Sequence, residues 1–421
     1  MDIRDLYAIF LRSAGVSTDT RTIRENQVFV ALKGENFDGD AFAIQALEAG
    51  ACCAVVSESI QAQDPRLVKV PDTLATLQEL AAWHRSQLQI PVIGLTGTNG
   101  KTTTKELIRT VLAARYRVVA TEGNLNNEIG VPLSVLRIGP DAQMAIIEMG
   151  ASHPEDLRPL LAVCRPSHGL ITNVGKAHLE GFGSFEGVKH AKGLLYDWLK
   201  EHEGIAFANG EDSVLQEMLW ERGMTCIAYG LKGVELLPSS PEFPYLRMAF
   251  PESVLETHLV GAYNAANVLA ALKIGWFFGV PDAGARAAIA SYIPSNNRSQ
   301  LLKTEKNTLI VDAYNANPSS MAVALDNLAC TEGRKVALLG AMRELGEDSD
   351  KEHRKVVARL SGMEAFLVGE EFIQAAEGSG IPAFATSEEL AAYLQHHPLR
   401  DRVVLVKGSR STRMEKLIPS L

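Results

Sequence analysis

No two of the five cysteines are spaced as CxxC, and their number is odd, so neither a disulfide framework nor a thiolate zinc site is indicated. Cys52, Cys53, Cys164, Cys226 and Cys330 read as small apolar residues for the interior. Positive charge is not in excess either. Lys and Arg number 41 against 50 Asp and Glu, a formal net charge of −9, which argues against nucleic acid or an acidic membrane surface as the main partner. Anionic ligands must then be held locally. Long apolar runs are also missing. The most apolar stretch, Ala262–Val280, starts polar and contains Lys273, and the opening MDIRDLYAIFLRSAG is broken by charges where a signal peptide has its apolar centre. A cytoplasmic protein without membrane insertion is expected. At 421 residues the chain is long for one core, and two or three domains are the natural division.

The most informative stretch is IPVIGLTGTNGKTTTKELIRTVLAARY, from Ile90 to Tyr116. Ile90, Val92, Ile93 and Leu95 suit a strand buried on both faces, and Leu107, Ile108, Val111 and Leu112 return on one side of a helix. Between them lies GTNGKTT. Gly97 and Gly100 allow a tight turn whose N–H groups converge on an anion, helped by the partial positive charge at the helix start. Thr98, Asn99 and Thr103 complete the loop, Lys101 adds a full charge over the outer phosphates, and Thr102 offers a hydroxyl to magnesium. The spacing departs from a Walker A loop, which would have glycine where Leu95 stands. With threonines on both sides, TGTNGKTT resembles the ATP loop of the Mur ligases, which extend the peptide of bacterial cell-wall precursors.

Residues 1–88 form a first unit, with strand-like QVFVAL and CCAVVS separated by a helical AFAIQALEAGA. Thr20, Arg21 and Lys33 could hold a diphosphate, arginine through its bidentate fork and lysine as a point charge; solvated surface turns are the plainer reading. The order STDTR, then ALKGENFDGD, then a strand resembles the UDP-sugar domain of the Mur ligases.

The central unit, 89–297, alternates strands with helices: Val92–Leu95, Arg117–Ala120, Met144–Glu148, Gly169–Thr172, Ile205–Ala208 and Cys226–Tyr229. That pattern implies a mostly parallel sheet with ligands at the carboxyl ends of its strands. Asn126 and Asn127, with Asn124, follow the second strand and suit a sugar or a peptide, although asparagine also populates turns. Glu148 leaves a strand where a carboxylate is costly without a partner or cation: a magnesium ligand, or a cap or ion pair. His178 sits past another strand end, where an ordinary hydrogen-bonded loop histidine is as reasonable. Lys192, on a helix beginning near Val188, reads by itself as a solvated lysine. Together EMG, HLEGFGS and AKGLLY stand in the order of the Mur ligases, which implies that Glu148, His178 and a carbamylated Lys192 serve magnesium. Prolines between Val234 and Pro251 predict short antiparallel strands or an irregular excursion. In HLVGAYNAANV, Asn264 and Asn267 lie three apart near a helix start and could read a heterocycle's edge. The family usually has GxHN here, with Tyr263 replacing the histidine in this chain.

The last unit, 298–421, repeats the alternation with strands Leu309–Asp312, Val336–Leu339, Ala365–Val368, Ala383–Ala385 and Val403–Val406, a dinucleotide-fold topology without GxGxxG. Arg298 and Asp312 match the family's contacts to ATP phosphates and to ribose or an arginine. AYNANPSSM, with Tyr314, Asn315 and Asn317, resembles the branch that adds a D-alanyl-D-alanine dipeptide, and the DNPR of the diamino-acid branch is missing. Lys407, Ser409 and Arg410 end a strand and open a helix, welcoming an anion or simply capping it.

The resemblance covers all three units in order. It implies an α/β protein of three domains: a small UDP-muramoyl-peptide-binding domain, a central P-loop ATPase domain on a parallel sheet, and a Rossmann-like domain for the incoming dipeptide. ATP and magnesium are the implied cofactors. UDP-N-acetylmuramoyl-tripeptide and D-alanyl-D-alanine are the implied substrates, joined through an acyl phosphate by a monomer. A sister ligase adding one amino acid and a non-ligating nucleotide-binding regulator are the alternatives.

Overall fold

The computed structural model describes residues 2–34, 37–240, 242–294 and 298–421. The expected boundary at 297 falls on residues outside that set. Apolar runs in the first unit become a parallel sheet of order β1-β2-β5-β6, from β1 (Val16–Ser17), β2 (Val28–Val30), β5 (Cys53–Ser57) and β6 (Leu67–Val70). The sequence predicted only β2 and β5. The two added strands are short, and LVKV buries just two valines, too brief an alternation to register. Lys33–Gly34 (β3) pairs antiparallel with Phe37–Asp38 (β4). The helix Thr73–Ser86, capped by Asp72, packs on the helices Gly130–Leu136 and Leu157–Cys164, so one hydrophobic core runs from the first sheet into the central body.

Six parallel strands make the central sheet: β7 (Val92–Thr96), β8 (Val118–Ala120), β9 (Met144–Glu148), β10 (His168–Ile171), β11 (Ile205–Asn209) and β12 (Cys226–Tyr229). They lie in the order β12-β11-β10-β7-β9-β8. The chain places β8 and β9 on one side of β7 and β10 to β12 on the other, so the loops after β7, β9 and β10 are neighbours at the carboxyl end of the middle strands. That is where open parallel sheets bind ligands. The proline-rich stretch folds as an antiparallel meander, β13 (Glu235–Leu237), β14 (Arg247–Phe250) and β15 (Ser253–Glu256). The helix carrying Lys192 begins at Phe185, earlier than expected, because Ser184 caps it by accepting from Gly187 N–H.

In the last unit β16 (Gln300–Lys303) is an unexpected antiparallel edge. Parallel strands β17 (Thr308–Asp312), β18 (Arg334–Gly340), β19 (Glu364–Val368), β20 (Ala383–Phe384) and β21 (Arg402–Lys407) complete the sheet β16-β17-β21-β18-β19-β20. One expectation fails: no α-helix follows Lys407. Short 3₁₀ turns, Arg410–Thr412 and Met414–Ser420, replace it, because Arg413 lies in the left-handed region at φ +49° and Pro419 interrupts the second. The chain there offers no α-helix dipole to an anion.

Candidate active site

Strand ends of the central sheet converge on a cavity of about 520 Å³, roofed by the last unit. Its floor is the loop after β7. A Cβ at Gly97, where φ is +146°, would lie 1.9 Å from Thr172 Oγ1, and Gly100, at φ +78°, ends the loop without a side-chain cap on the helix Lys101–Ala113. Only glycine fits both backbone and space at Gly97. The loop is fixed from the neighbouring strand. Asn173 accepts from Asn99 N–H at 3.0 Å and donates to Asn99 C=O at 2.9 Å, while Thr172 donates to the same carbonyl at 2.7 Å.

Lys101 Nζ does not point outward as expected of a phosphate-facing lysine. It donates to the carbonyls of Gly97 (2.8 Å) and Thr98 (3.2 Å), tying the loop to its own helix. Burial lowers its pKa; Glu148 opposes this and Arg298 adds to it. Glu148, 1% exposed, accepts from Thr102 Oγ1 at 3.0 and 3.2 Å and from Asn126 Nδ2 at 2.9 Å. Lys105 Nζ stands 4.0 Å from its carboxylate. A buried carboxylate with three polar neighbours is satisfied, and with the Thr102 hydroxyl beside it the pair supplies the hard oxygen donors that magnesium prefers.

His178, at φ +51°, lines the cavity; its buried Nδ1 lies against the Glu344 carboxylate of the last unit but makes no hydrogen bond among the described residues. Burial lowers its pKa, against the pull of Glu344. Lys192 is 2% exposed, with its ammonium position 5.6 Å from the Phe182 ring. Burial first, then Lys101, push its amine down to about 7, against the opposing pull of Asp156. It is therefore no solvated lysine.

Asn264 and Asn267 are nearly fully buried and engaged internally. Asn264 donates to Val260 C=O, Asn267 donates to Asn264, and Thr104 donates to Asn267. Both still line the cavity, beside Tyr263, which hydrogen-bonds Ser299 at 2.8 Å. From the last unit come Arg298, Asp312, Tyr314, Asn315, Asn317 and Lys407. The Arg298 guanidinium lies 3.7 Å over the Tyr314 ring, and Arg410, itself exposed, is 5.7 Å from it. Lys407 donates to Asp312 at 2.6 Å, its partner in strand register, and to Asn315 C=O at 3.1 Å. Asn317 Nδ2 donates to Asn99 Oδ1 at 2.8 Å, joining AYNANP to the glycine loop.

Other predicted residues stand apart. Thr20 and Arg21 follow β1 and Lys33 begins β3, close after β2, on the first unit; Arg21 is paired with Asp19 and Lys33 with Asp38 and Asp40. Exposed Asn127 accepts from Gly130 N–H and starts a helix, and Ser409 donates to Ala341 C=O. Asn173, Lys105 and Glu344 escaped the sequence reading. Asn173 and Lys105 were within reach of it, one directly after an apolar strand, the other one turn past Lys101. A second cavity of about 500 Å³ lies at the opposite, amino-terminal end of the β17 and β21 strands, lined by Asn307, Arg334 and Arg402 among others, and contains none of the predicted residues.

Three family models match in order: the Mur ligase family catalytic domain over residues 12–89, the Mur ligase middle domain over 95–275, and the Mur ligase glutamate ligase domain over 297–410. This chain is a Mur ligase. Its curated relatives include the UDP-N-acetylmuramoyl-tripeptide--D-alanyl-D-alanine ligases of Escherichia coli (strain K12), 35% identical over 96% of this chain and 93% of that protein, and of Bacillus subtilis (strain 168), 32% identical over 97% and 93%. Among solved structures, MurF from Acinetobacter baumannii superposes with a TM-score of 0.85 at 30% identity, covering 96% of this chain and 92% of that one. MurF from Thermotoga maritima in complex with ADP gives 0.84 at 28%, covering 98% and 97%. Among the described residues of this Mur ligase no helix is long and apolar enough to cross a membrane.

Proposed function

We propose that this Mur ligase joins D-alanyl-D-alanine to UDP-N-acetylmuramoyl-tripeptide in the cytoplasm, as a monomer, with cleavage of ATP to ADP and phosphate. The observation that carries the reading is the Asn317 to Asn99 hydrogen bond, which sets the AYNANP segment directly on the glycine loop. A dipeptide held by that segment would meet the carbonyl that ATP has activated.

We assign residues 1–88 to the UDP-muramoyl peptide, with Thr20, Arg21 and Lys33 on the diphosphate and Asn126 and Asn127 of the central unit toward the sugar or peptide. Residues 89–297 take ATP: Gly97 to Thr103 wrap the phosphates, and Asn264 and Asn267 lie toward the base, with Arg298 and Asp312 across the boundary. Residues 298–421 take the dipeptide through Tyr314, Asn315, Asn317, Lys407, Ser409 and Arg410.

The substrate carboxylate attacks the γ-phosphorus, the bond to the β-bridging oxygen breaks, and an acyl phosphate and ADP result. The dipeptide's amine then attacks the acyl carbon, expels phosphate and loses its proton. Lys101, released from its loop carbonyls, would meet the charge that gathers on the phosphoryl oxygens. Thr102, Glu148, His178 and a carbamate on Lys192 would hold magnesium. When bound, the metal would neutralise the triphosphate so that a carboxylate can approach. Burial of the site under the last unit keeps water from the acyl phosphate. Phosphate release should require UDP-muramoyl-tripeptide and D-alanyl-D-alanine together. Release with single amino acids in place of the dipeptide would favour a sister ligase, and release with neither substrate would overturn ligation.

A further inference from the structure

The helix Pro318–Cys330 follows AYNANP and is planted on the glycine loop by its first turn. Asn317 Nδ2 donates to Asn99 Oδ1, and the Ser319 hydroxyl accepts from Lys176 N–H at 3.0 Å, so the helix starts at the loop and runs away from it. One face of it is core: Met321, Ala324, Leu325 and Leu328 are buried in an apolar cluster of the last unit. Ser319, Ser320 and Val323 fall on the opposite face, three and four residues apart, and all three line the cavity. The two serines are engaged, Ser319 by Lys176 and Ser320 in a capping box with Asn317, whose N–H its hydroxyl accepts at 3.1 Å. Val323 is not. It is 40% exposed and belongs to none of the apolar clusters among the described residues. A β-branched side chain loses rotamer freedom on a helix, and here no apolar cluster repays the loss. Of the described residues lining the cavity, the other aliphatic side chain is Val174, which packs against the Leu179 and Phe182 cluster. The cavity therefore offers its uncommitted aliphatic surface at Val323.

We propose that Val323 is a specificity-determining residue, which receives the methyl group of the dipeptide's carboxyl-terminal D-alanine and limits the size of that group. The inference rests on the reading of AYNANP as the segment that holds the dipeptide. The dipeptide's amine must reach the activated carbonyl over the glycine loop, where Asn317 meets Asn99, so its other end points along the helix. At about 1.5 Å of rise per residue, Val323 stands about 9 Å along the axis from Asn317, and helical side chains lean back toward the N-terminus. An extended dipeptide spans about 7 Å. Its second residue, not its first, arrives at Val323. A methyl group set there removes apolar surface of both partners from water, while a larger group meets a branched side chain on a helix whose other face is packed into the core.

The test compares kcat/KM for three dipeptides, D-alanyl-D-alanine, D-alanyl-D-valine and D-valyl-D-alanine, in phosphate release with ATP and UDP-N-acetylmuramoyl-tripeptide. Val323→Ala should raise the use of D-alanyl-D-valine relative to D-alanyl-D-alanine by about 10-fold or more, the scale on which an apolar pocket distinguishes side chains differing by a methylene or two. The ratio for D-valyl-D-alanine should stay where it was. Val323→Phe, which fills the space, should move the first ratio the other way, and Val323→Thr, which keeps the shape, should preserve the native order of the three. A loss of thermal stability common to the variants lowers activity with every dipeptide alike and leaves the ratios untouched. Ratios unchanged in both Val323→Ala and Val323→Phe, or a change confined to D-valyl-D-alanine, would overturn the proposal. If the native enzyme requires the dipeptide while those ratios stand still, this inference alone fails. Native phosphate release that needs no dipeptide would remove the reading beneath it.

Discussion

Replacing Lys192 by methionine should make the protein more stable and inactive at once. The amine is 2% exposed and pushed down to about 7 from an ordinary 10.5. That gap corresponds to about 5 kcal/mol of cost for carrying the residue unmodified in the folded chain at neutral pH and below. The unfolded chain keeps its proton up to about pH 10.5 and the folded chain releases it near 7, so the unfolded state binds more protons in between and stability rises with pH across that window. From pH 7 to pH 9 the native protein should gain about 2 kcal/mol from this group, and Lys192→Met should gain none. Methionine fills the same unbranched space without a charge. Urea unfolding in buffers freed of carbon dioxide measures this directly. The stability difference should favour the variant at pH 7 and shrink at pH 9, and bicarbonate should narrow it by converting the native amine to a carbamate. Carbon-13-labelled bicarbonate should give a carbamate resonance that the variant lacks. A difference independent of pH, or a variant less stable than the native chain, would refute the reasoning.

Lys101→Ala should keep the fold yet lose roughly 10²-fold in turnover, the scale for removing one charge-stabilising donor; near-normal phosphate release would contradict its role. In Gly97→Ala the added methyl meets Thr172 Oγ1 at 1.9 Å in a backbone region hostile to alanine, so calorimetry should find ADP affinity reduced at least about tenfold. Arg21 is 85% exposed and, among the described residues, paired with neighbouring Asp19 alone, so Arg21→Ala should leave the melting temperature unchanged and weaken the UDP substrate while ATP still binds. Asn315 is exposed, its amide oxygen accepting only from Ala316 N–H among the described residues; Asn315→Ala should raise the KM for dipeptide and spare the acyl phosphate half-reaction.

What could be read from the sequence follows from which physics is local. Val92–Thr96, Met144–Glu148 and Arg402–Lys407 each contain a continuous apolar run, VIGL, MAII and VVLV, because both faces of a parallel strand are buried, and such runs are visible in one dimension. Val16–Ser17 owes its existence to pairing with Val28–Val30, which no local pattern announces. The glycine loop was legible because glycine is required by the backbone itself. Glu344 was not, since in RELGED it looks like any solvated acid, and only the hydrogen bond from Met342 N–H to His353, ten residues beyond Arg343, sets it against His178. Lys192 lies between these cases: its helix periodicity was apparent, but not the depth to which its amine is buried.

The strand order of the last unit carries a consequence for biosynthesis. β21, the final strand to leave the ribosome, lies between β17 and β18, so until it is made the sheet exists only as two unjoined halves. The central sheet is complete 178 residues before Lys407, at Tyr229. A nascent chain can therefore assemble its glycine loop early in translation but gains Lys407, and with it the pairing that fixes Asp312, only when synthesis is almost over. Premature termination before Arg402 would release a chain whose last sheet is two unjoined halves and whose Asp312 lacks the Lys407 partner.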